Sequence, residues 1–305
     1  MTDTRVSLLK ALREGWSWMV HMLFRPFDVR KWFVVGFAAW LAGLAGWGGG
    51  GGGSVSDDDG GAQILHSAQD GWDWLTSHEL AAGMIFAGLL TLLALIVAVL
   101  WVSSRAKFIF LDNVVCDRAE IVEPWKRFRR QGNSLFAFRL VVALICIPLA
   151  FGLIGLCVWL AVGLGGWAHL EGAATVAGVV GTALLGLVLI IATLYTFFFL
   201  DAFVVPLMHR YDLGVMDAWR RFLALLGARP GWFLASGLFV FVLCILALVV
   251  VLTTGFMTCC LGFLLLAMPY VGTVLLLPLI ITYRAFTVAF LGQFDSEVRL
   301  GRAGT

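Results

Sequence analysis

The stretch Lys107–Arg139, KFIFLDNVVCDRAEIVEPWKRFRRQGNSLFAFR, holds most of the charge in the middle of an otherwise apolar chain. Of the 305 residues, 61% are hydrophobic and only 13% are charged. This balance is typical of a protein that lies in lipid. The sequence therefore predicts a membrane protein in which the charged stretch separates apolar segments.

Six apolar segments predict six transmembrane helices in a single all-α membrane domain that spans residues 1–305. They are Trp32–Trp47, Ala81–Ser103, Leu140–Leu164, Ala174–Leu200, Trp232–Met257 and Leu261–Tyr283. A transmembrane helix needs about 20 apolar residues, so the first segment lies at the lower limit of crossing length. The sixth segment contains Pro269 and Pro278.

Residues 5–24 precede the first segment and predict an amphipathic helix that lies in the membrane interface. Its large apolar residues share one broad face: Leu8, Leu9, Leu12, Trp16, Met19, Val20 and Leu23. Lys10, Arg13 and Glu14 fall off that face. Pro26 predicts the end of this helix.

Residues 48–61, rich in Gly and Asp, predict a flexible extracytoplasmic linker. The glycine run lacks the Lys-Ser/Thr ending of a phosphate loop. His66, Asp70 and Asp73 follow at a spacing that could hold a metal ion, but Gly71 interrupts it and ordinary loop residues are the favoured interpretation. We expect no metal and no cofactor.

Lysine and arginine are distributed unevenly around the predicted spans. Six precede the first span, eight lie between the second and third, four between the fourth and fifth, and three follow the sixth, which accounts for all 21. The charged residues of the three opposite loops are all acids: Asp57, Asp58, Asp59, Asp70, Asp73, Glu79 and Glu171. The positive-inside rule therefore predicts that both termini are cytoplasmic.

Parts of the charged stretch recur later in the chain. Residues 110–112 and 199–201 both read FLD, and residues 125–128 (WKRF) match residues 219–222 (WRRF). A glycine follows each match at a similar distance: Gly132 in the first copy and Gly227 in the second. The N-terminus supplies a looser third copy.

These matches predict three tandem units, approximately residues 1–112, 113–205 and 206–305. Each unit would contain a cytoplasmic interfacial helix, a span, an outer loop and a returning span. Because each unit holds two spans, the copies would share one orientation in the membrane.

A short basic helix is predicted at the centre of the charged stretch. Glu123 and Pro124 are favourable at its start, and Gly132 predicts its end. The candidate lipid-facing or partner-facing residues are Trp125, Lys126, Arg127, Arg129 and Arg130, with Trp219, Arg220 and Arg221 in the second copy. Each basic residue near a membrane is attracted to anionic lipid by about 1 kcal/mol. We expect anionic headgroups as the partner, an acidic protein surface as the alternative, and no nucleic acid.

Two acids, Asp112 and Asp201, recur at the cytoplasmic ends of the second and fourth spans. Arg105, seven residues before Asp112, falls on the same helical face. The group is either a structural pair that fixes where a helix leaves the membrane or a functional site. The third unit has Gly292 at this place, so a three-fold gate of carboxylates is not supported.

The central part of every predicted span lacks charged residues and histidine. Proton-driven transport and voltage sensing depend on such residues and are therefore disfavoured. The motifs of serine hydrolases, zinc proteases and P-loop ATPases do not occur. The sequence favours a non-enzymatic protein that organises lipid or a partner. An uncoupled facilitator lined by Thr193, Tyr195 or Asp201 is the second interpretation, and a membrane-embedded lipid-modifying enzyme is the third.

Residues 105–140 carry the pattern FxFLDNVVxxRAxIxEPWxxFxxxGNSLFxFRL. This pattern resembles a family of uncharacterised bacterial multi-pass proteins. That family is distantly similar to the membrane domain attached to some glycerophosphodiester phosphodiesterases. The resemblance implies a six-helix protein of the bacterial inner membrane, and it carries over no hydrolytic residue.

Overall fold

A computed structural model of the chain describes residues 6–45, 78–163, 173–258, 261–295, 297–298 and 300–301. Within these ranges the chain forms helices joined by short turns, and it contains no strand. The predicted all-α fold is therefore confirmed. The predicted linker at residues 48–61 and the group of His66, Asp70 and Asp73 lie outside the described residues.

The helices are numbered here in chain order. They are α1 (Leu8–Phe24), α2 (Val29–Gly43), α3 (Glu79–Cys116), α4 (Val122–Arg127), α5 (Arg129–Gly163), α6 (Ala173–Phe199), a π-helical turn (Leu200–Val204), α7 (Val205–Tyr211), α8 (Val215–Ala228), α9 (Pro230–Met257), α10 (Leu261–Ala267), α11 (Pro269–Leu275) and α12 (Leu277–Leu291).

Four helical segments in the described part of the chain are long and apolar enough to cross a membrane. They are Leu80–Cys116, Arg129–Trp159, Ala177–Tyr211 and Pro230–Met257. A fifth is possible if α11 and α12, which are bent by 62° at their junction, form one broken span. The chain is thus an all-helical membrane protein, as its composition predicts.

The first and sixth predicted spans are not long single helices. The first corresponds to α2, which has 15 residues and ends at Gly43. The sixth, predicted over Leu261–Tyr283, is divided among α10, α11 and α12. Pro269 and Pro278 each lie in the first turn of a helix, where a missing N–H group is tolerated, so the breaks occur at the two prolines. The count of six spans stays a prediction.

The chain divides into two compact units. Unit 1 contains Met1–Trp47, Leu100–Phe138 and Tyr195–Thr305, and unit 2 contains Gly48–Val99 and Arg139–Leu194. The described helices of unit 2 expose many apolar side chains, which is typical of a surface that faces lipid. Unit 1 contains the buried core.

An aromatic cluster forms the centre of unit 1. Phe203 of the π-helical turn, Phe222 of α8 and Phe233 of α9 are fully buried. The ring centroids of Phe203 and Phe233 are 5.2 Å apart, and those of Phe222 and Phe233 are 5.4 Å apart. Buried aromatic pairs at such distances contribute roughly 0.5–1.5 kcal/mol beyond their burial. The cluster holds the π-helical turn, α8 and α9 together.

Helix α1 has the predicted extent, and its buried face coincides in part with the predicted apolar face. Met19 and Leu23 are buried, and Leu8 and Leu12 pack against the core. Ser7 caps its start, and the helix ends at Phe24, before Pro26. Leu9 and Trp16, which were predicted to share an apolar face, are 68% and 54% exposed. The buried face also carries the small residue Gly15, which lies against the backbone of α12. The face of α1 that is buried therefore depends on close packing against α12 as well as on large apolar side chains.

The charged stretch is built from three helices. Its first part, through Cys116, continues α3 as a buried segment. Helix α4 begins close to Glu123 and Pro124, as predicted, but it ends at Arg127 and α5 begins at Arg129.

The predicted role of Gly132 is wrong, because this glycine lies inside α5 and does not end a helix. A Cβ atom at Gly132 would lie 2.7 Å from Cγ of Arg105. Its missing side chain therefore allows α5 to approach α3 closely. Arg129 and Arg130, which were predicted near the end of the basic helix, instead stand in the first turn of α5.

The two matched segments of the chain share a local structure. Asp117 and Asp212 follow the ends of α3 and α7, and both have φ of 54°. Aspartate is among the few residues other than glycine that adopt this left-handed conformation readily. Each turn leads into a helix with an acid in its first turn. The phenylalanine of each motif, Phe128 or Phe222, is buried.

Gly132→Ala is expected to destabilise the protein by about 1–3 kcal/mol, because the new methyl group would overlap Arg105. Thermal unfolding of the purified chain in detergent measures the change. Gly227→Ala is the matched control, since a Cβ atom there has no neighbour within 4 Å. Alanine is also favoured over glycine in a helix by up to about 1 kcal/mol, so the control should be neutral or stabilising. Equal losses in both variants would contradict the assigned contact.

Candidate functional site

Unit 1 contains a group of buried charged and polar side chains close to the charged stretch. Its members are Arg105, Lys107 and Asp112 of α3, Asp201 of the π-helical turn, His209 of α7 and Arg284 of α12. Most of these side chains are almost completely removed from solvent. Burial of a charge is costly unless the charge is paired, so the partners of each residue decide what the group can do.

Asp112 pairs with His209. The carboxylate Oδ1 and the imidazole Nε2 are 2.9 Å apart, and the side chains are only 5% and 8% exposed. The His209 ring stacks on Phe128 with centroids 4.7 Å apart, which fixes the plane of the imidazole. Cys116, one helical turn after Asp112, donates its thiol to the same carboxylate oxygen at 3.7 Å. The pair joins α3 to α7.

Asp201 forms an ion pair with Lys107 across α3 and the π-helical turn. The guanidinium of Arg284 donates to the backbone carbonyl oxygen of Asp201. A π-helical turn widens the backbone and disturbs the regular i→i−4 hydrogen bonds, which leaves carbonyl groups available to side chains. Arg284 uses such a carbonyl and thereby connects α12 to the same turn.

Arg105 has a different partner from the one that the sequence suggested. Its Nε and Nη2 atoms donate to Oδ1 of Asn133 at 3.1 and 2.8 Å. The guanidinium carbon lies 4.3 Å from the ring centroid of Trp101 and 5.2 Å from that of Trp125. Asp112, Asp201 and Arg105 therefore bind three different partners: His209, Lys107 and Asn133.

The aromatic residues of the predicted basic helix face the protein. Trp125 lies edge-on to Trp101 with centroids 5.9 Å apart, and Phe128 is 5% exposed. In the second copy, Trp219 packs against Phe138 and Phe222. Trp125, a candidate lipid-facing or partner-facing residue, is therefore partly covered by other residues of unit 1.

The basic residues of the two copies differ in their surroundings. The exposed ones include Lys126, Arg127, Arg129, Arg130 and Arg220. Arg221 is 44% exposed but binds Asp295 at 3.2 Å and lies 3.7 Å from the ring centroid of Tyr211. Tyr211 donates its hydroxyl to the same carboxylate at 2.8 Å. In the second copy, Arg221 therefore helps to hold the segment that follows α12.

Three members of the buried group, Lys107, His209 and Arg284, were not singled out by the sequence. His209 is one of five histidines in the chain, and Arg284 follows directly after the sixth predicted span. Residues 285–291 instead complete α12 and are buried. The signal that could have identified Arg284 is its position inside an apolar run that continues through Phe290 and Leu291.

The fold and the buried group define an all-helical membrane protein in which paired charges join the helices of one unit. A family model, described as a family of unknown function (DUF7544), matches residues 7–299, so the chain belongs to this family. Neither the curated proteins nor the solved structures contain a match to the chain. Within the described ranges, no three His, Cys, Asp or Glu residues are grouped to hold a metal ion.

The contact between Asp112 and His209 predicts energetic coupling of about 0.5–3 kcal/mol between substitutions at the two positions. Asp112→Asn and His209→Gln, separately and together, test this value by reversible unfolding of the detergent-solubilised chain. Asp217→Asn, at an exposed acid of α8, is the control and should add to His209→Gln without coupling. Additive effects of Asp112→Asn and His209→Gln would contradict the contact.

Proposed function

We propose that this chain is a non-enzymatic, multi-pass protein of the bacterial cytoplasmic membrane that organises anionic lipid through a basic cytoplasmic face. The basic face consists of Lys126, Arg129 and Arg130, at the junction of α4 and α5. The observation that carries the proposal is that aromatic and basic side chains lie on opposite sides of this junction. The aromatic residues point into unit 1, while these three cations are exposed.

The electrostatics of the α5 start support this proposal. Arg129 and Arg130 stand in the first turn of α5, which contains no acid. The N-terminal end of a helix carries a partial positive charge, so cations there are unfavourable without a nearby anion. No ion pair among the described residues binds the basic face. Phosphate groups of anionic lipid would offset this concentration of positive charge.

The proposal includes six spans in three tandem units, with both termini in the cytoplasm. In this arrangement α2 supplies the first span, and the bent segment of α11 and α12 supplies the sixth. The uneven distribution of basic residues supports the orientation. The matching left-handed turns at Asp117 and Asp212, each followed by a motif helix, support a repeat between the second and third units.

An acidic protein surface is the alternative partner of the basic face. A facilitator is less well supported, because the residues proposed for its path have side-chain neighbours. Thr193 Oγ1 lies 3.9 Å from the Cys146 sulfur, and Tyr195 packs against Phe199 with ring centroids 5.6 Å apart. Tyr195 also lies against Gly237 of α9, where an added Cβ atom would be 3.1 Å from Cε1 of the tyrosine. The contacts of Thr193 with Cys146 and of Tyr195 with Gly237 suit packing between helices better than the lining of a path.

A lipid-modifying enzyme is the third candidate. Its acid–base residues would need to reach a substrate, and among the described residues the Asp112–His209 pair resembles such machinery. Both side chains are less than a tenth exposed, and the imidazole is covered by Phe128. This burial favours a structural role for the pair and a non-enzymatic function for the chain.

Spin-labelled lipids in reconstituted liposomes test the proposed function directly. The unaltered chain should bind phosphatidylglycerol in preference to phosphatidylcholine. Lys126→Gln, Arg129→Gln and Arg130→Gln together should remove most of this preference, because each basic residue contributes about 1 kcal/mol, or roughly fivefold in association constant.

The control combines Arg30→Gln, Arg118→Gln and Arg229→Gln, which removes the same charge from exposed positions outside the basic face. It should retain the preference for phosphatidylglycerol. If neutralising the basic face leaves the preference unchanged, the lipid proposal is wrong. Crosslinking of an acidic protein at Lys126 would then support the alternative partner.

A further inference from the structure

A groove of about 1420 Å³ lies between α1 and the segment that follows α12, within unit 1. Small-molecule sites usually have volumes of about 300–1,000 Å³. The groove is therefore larger than a compact soluble ligand requires. Its two walls differ in chemistry, and this difference indicates what it binds.

The α1 wall carries a row of polar side chains. Lys10, Arg13, Ser17 and His21 recur every three or four residues and so share one face of the helix, and Arg25 follows directly after the helix. At 1.5 Å per residue, the row from the first to the last extends over about 22 Å.

The fixed charge of the groove is positive. Lys10, Arg13 and Arg25 are exposed, and Glu14 is the one acid among the described residues that line the groove. In the part of the chain that the structure describes, no ion pair neutralises these three cations. The wall therefore offers a row of cationic donors to an anion, and this row is separate from the basic face.

The opposite wall is apolar. Phe294 and Leu300 pack partly against the core, and Val298 is 3% exposed and holds the segment in place. The amide of Gln293, the polar residue of this wall, forms two hydrogen bonds with the backbone of Ser7, at 2.9 and 3.1 Å. A ligand would thus meet carbon atoms on this side and cations on the other.

Two tryptophans of α1 also line the groove. Trp18 is fixed by a 2.8 Å hydrogen bond from its indole N–H to the carbonyl oxygen of Val114. Trp16 is 54% exposed. Tryptophan side chains favour the boundary between lipid and water, because the ring is apolar and its N–H group is polar. The groove is therefore suited to the headgroup level of a bilayer.

We propose that this groove binds one phospholipid with an anionic headgroup. The phosphate would lie along Lys10, Arg13 and Arg25, and the upper part of the acyl chains would cover Phe294 and Leu300. A soluble phosphate compound would leave the apolar wall exposed to water, so an amphiphile complements both walls. The inference goes beyond the proposed function, because it assigns one discrete lipid site to residues outside the basic face.

Native mass spectrometry of the full chain in detergent tests this inference, with dioleoyl phosphatidylglycerol and dioleoyl phosphatidylcholine as probes. The unaltered chain should retain one phosphatidylglycerol more tightly than phosphatidylcholine. Lys10→Gln, Arg13→Gln and Arg25→Gln together should weaken phosphatidylglycerol binding by roughly tenfold or more. The charge-preserving set Lys10→Arg, Arg13→Lys and Arg25→Lys should keep the bound lipid. Thermal unfolding in detergent, with unchanged midpoints for both sets, shows that the variants fold.

Two further variants distinguish lipid binding at this groove from lipid binding at the basic face and at other exposed cations. The control with Arg30, Arg118 and Arg229 changed to glutamine should keep the bound lipid, and so should the variant that neutralises the basic face. Equal affinity for the two phospholipids would overturn the inference. So would an unchanged affinity for phosphatidylglycerol after Lys10, Arg13 and Arg25 are changed to glutamine, or an equal loss of affinity in the control with Arg30, Arg118 and Arg229 changed. Displacement of the lipid by soluble glycerol phosphate would contradict the role of the apolar wall. Failure of the basic-face experiment leaves this site intact, because its residues are different.

Discussion

The ion pair between Lys107 and Asp201 is the interaction on which the packing of unit 1 depends. Both residues stand in segments long and apolar enough to cross a membrane, and their side chains are 8% and 30% exposed. A charge in such a segment is costly without a partner. The pair joins α3 to the π-helical turn, and Arg284 binds the carbonyl of the same turn. Asp112 and His209 make a second connection, from α3 to α7. These polar contacts thus determine which faces of α3, α7, α12 and the π-helical turn pack together.

The pairing of charges inside unit 1 also explains the position of the basic face. Charges with partners lie inside unit 1, and the aromatic residues of the α4–α5 junction pack there with them. Gly132 allows α5 to approach Arg105, which places the start of α5 against α3. Lys126, Arg129 and Arg130 remain on the outside as a consequence of this packing. Lipid attraction would then follow from cations that the fold does not neutralise.

Patterns of neighbouring residues predicted the local structure well, but they did not predict contacts between residues far apart in the chain. Composition predicted the helical membrane fold, and Glu123 with Pro124 predicted the start of α4, because both depend on nearby residues alone. Gly132 was misassigned because a glycine that ends a helix and one that permits a helix contact look alike in sequence. The partners of His209 and Arg284 come from other helices, up to 97 residues away, so no local spacing could reveal them.

The side of the membrane on which the basic face lies is the most direct test of the account. In a chain whose six cysteines are replaced, Lys126→Cys and Asp58→Cys supply single labels for a membrane-impermeant maleimide. The account predicts that Lys126→Cys is labelled in inverted vesicles but not in intact spheroplasts, and that Asp58→Cys shows the opposite pattern. Labelling of Lys126→Cys from outside intact spheroplasts would contradict the proposed cytoplasmic face.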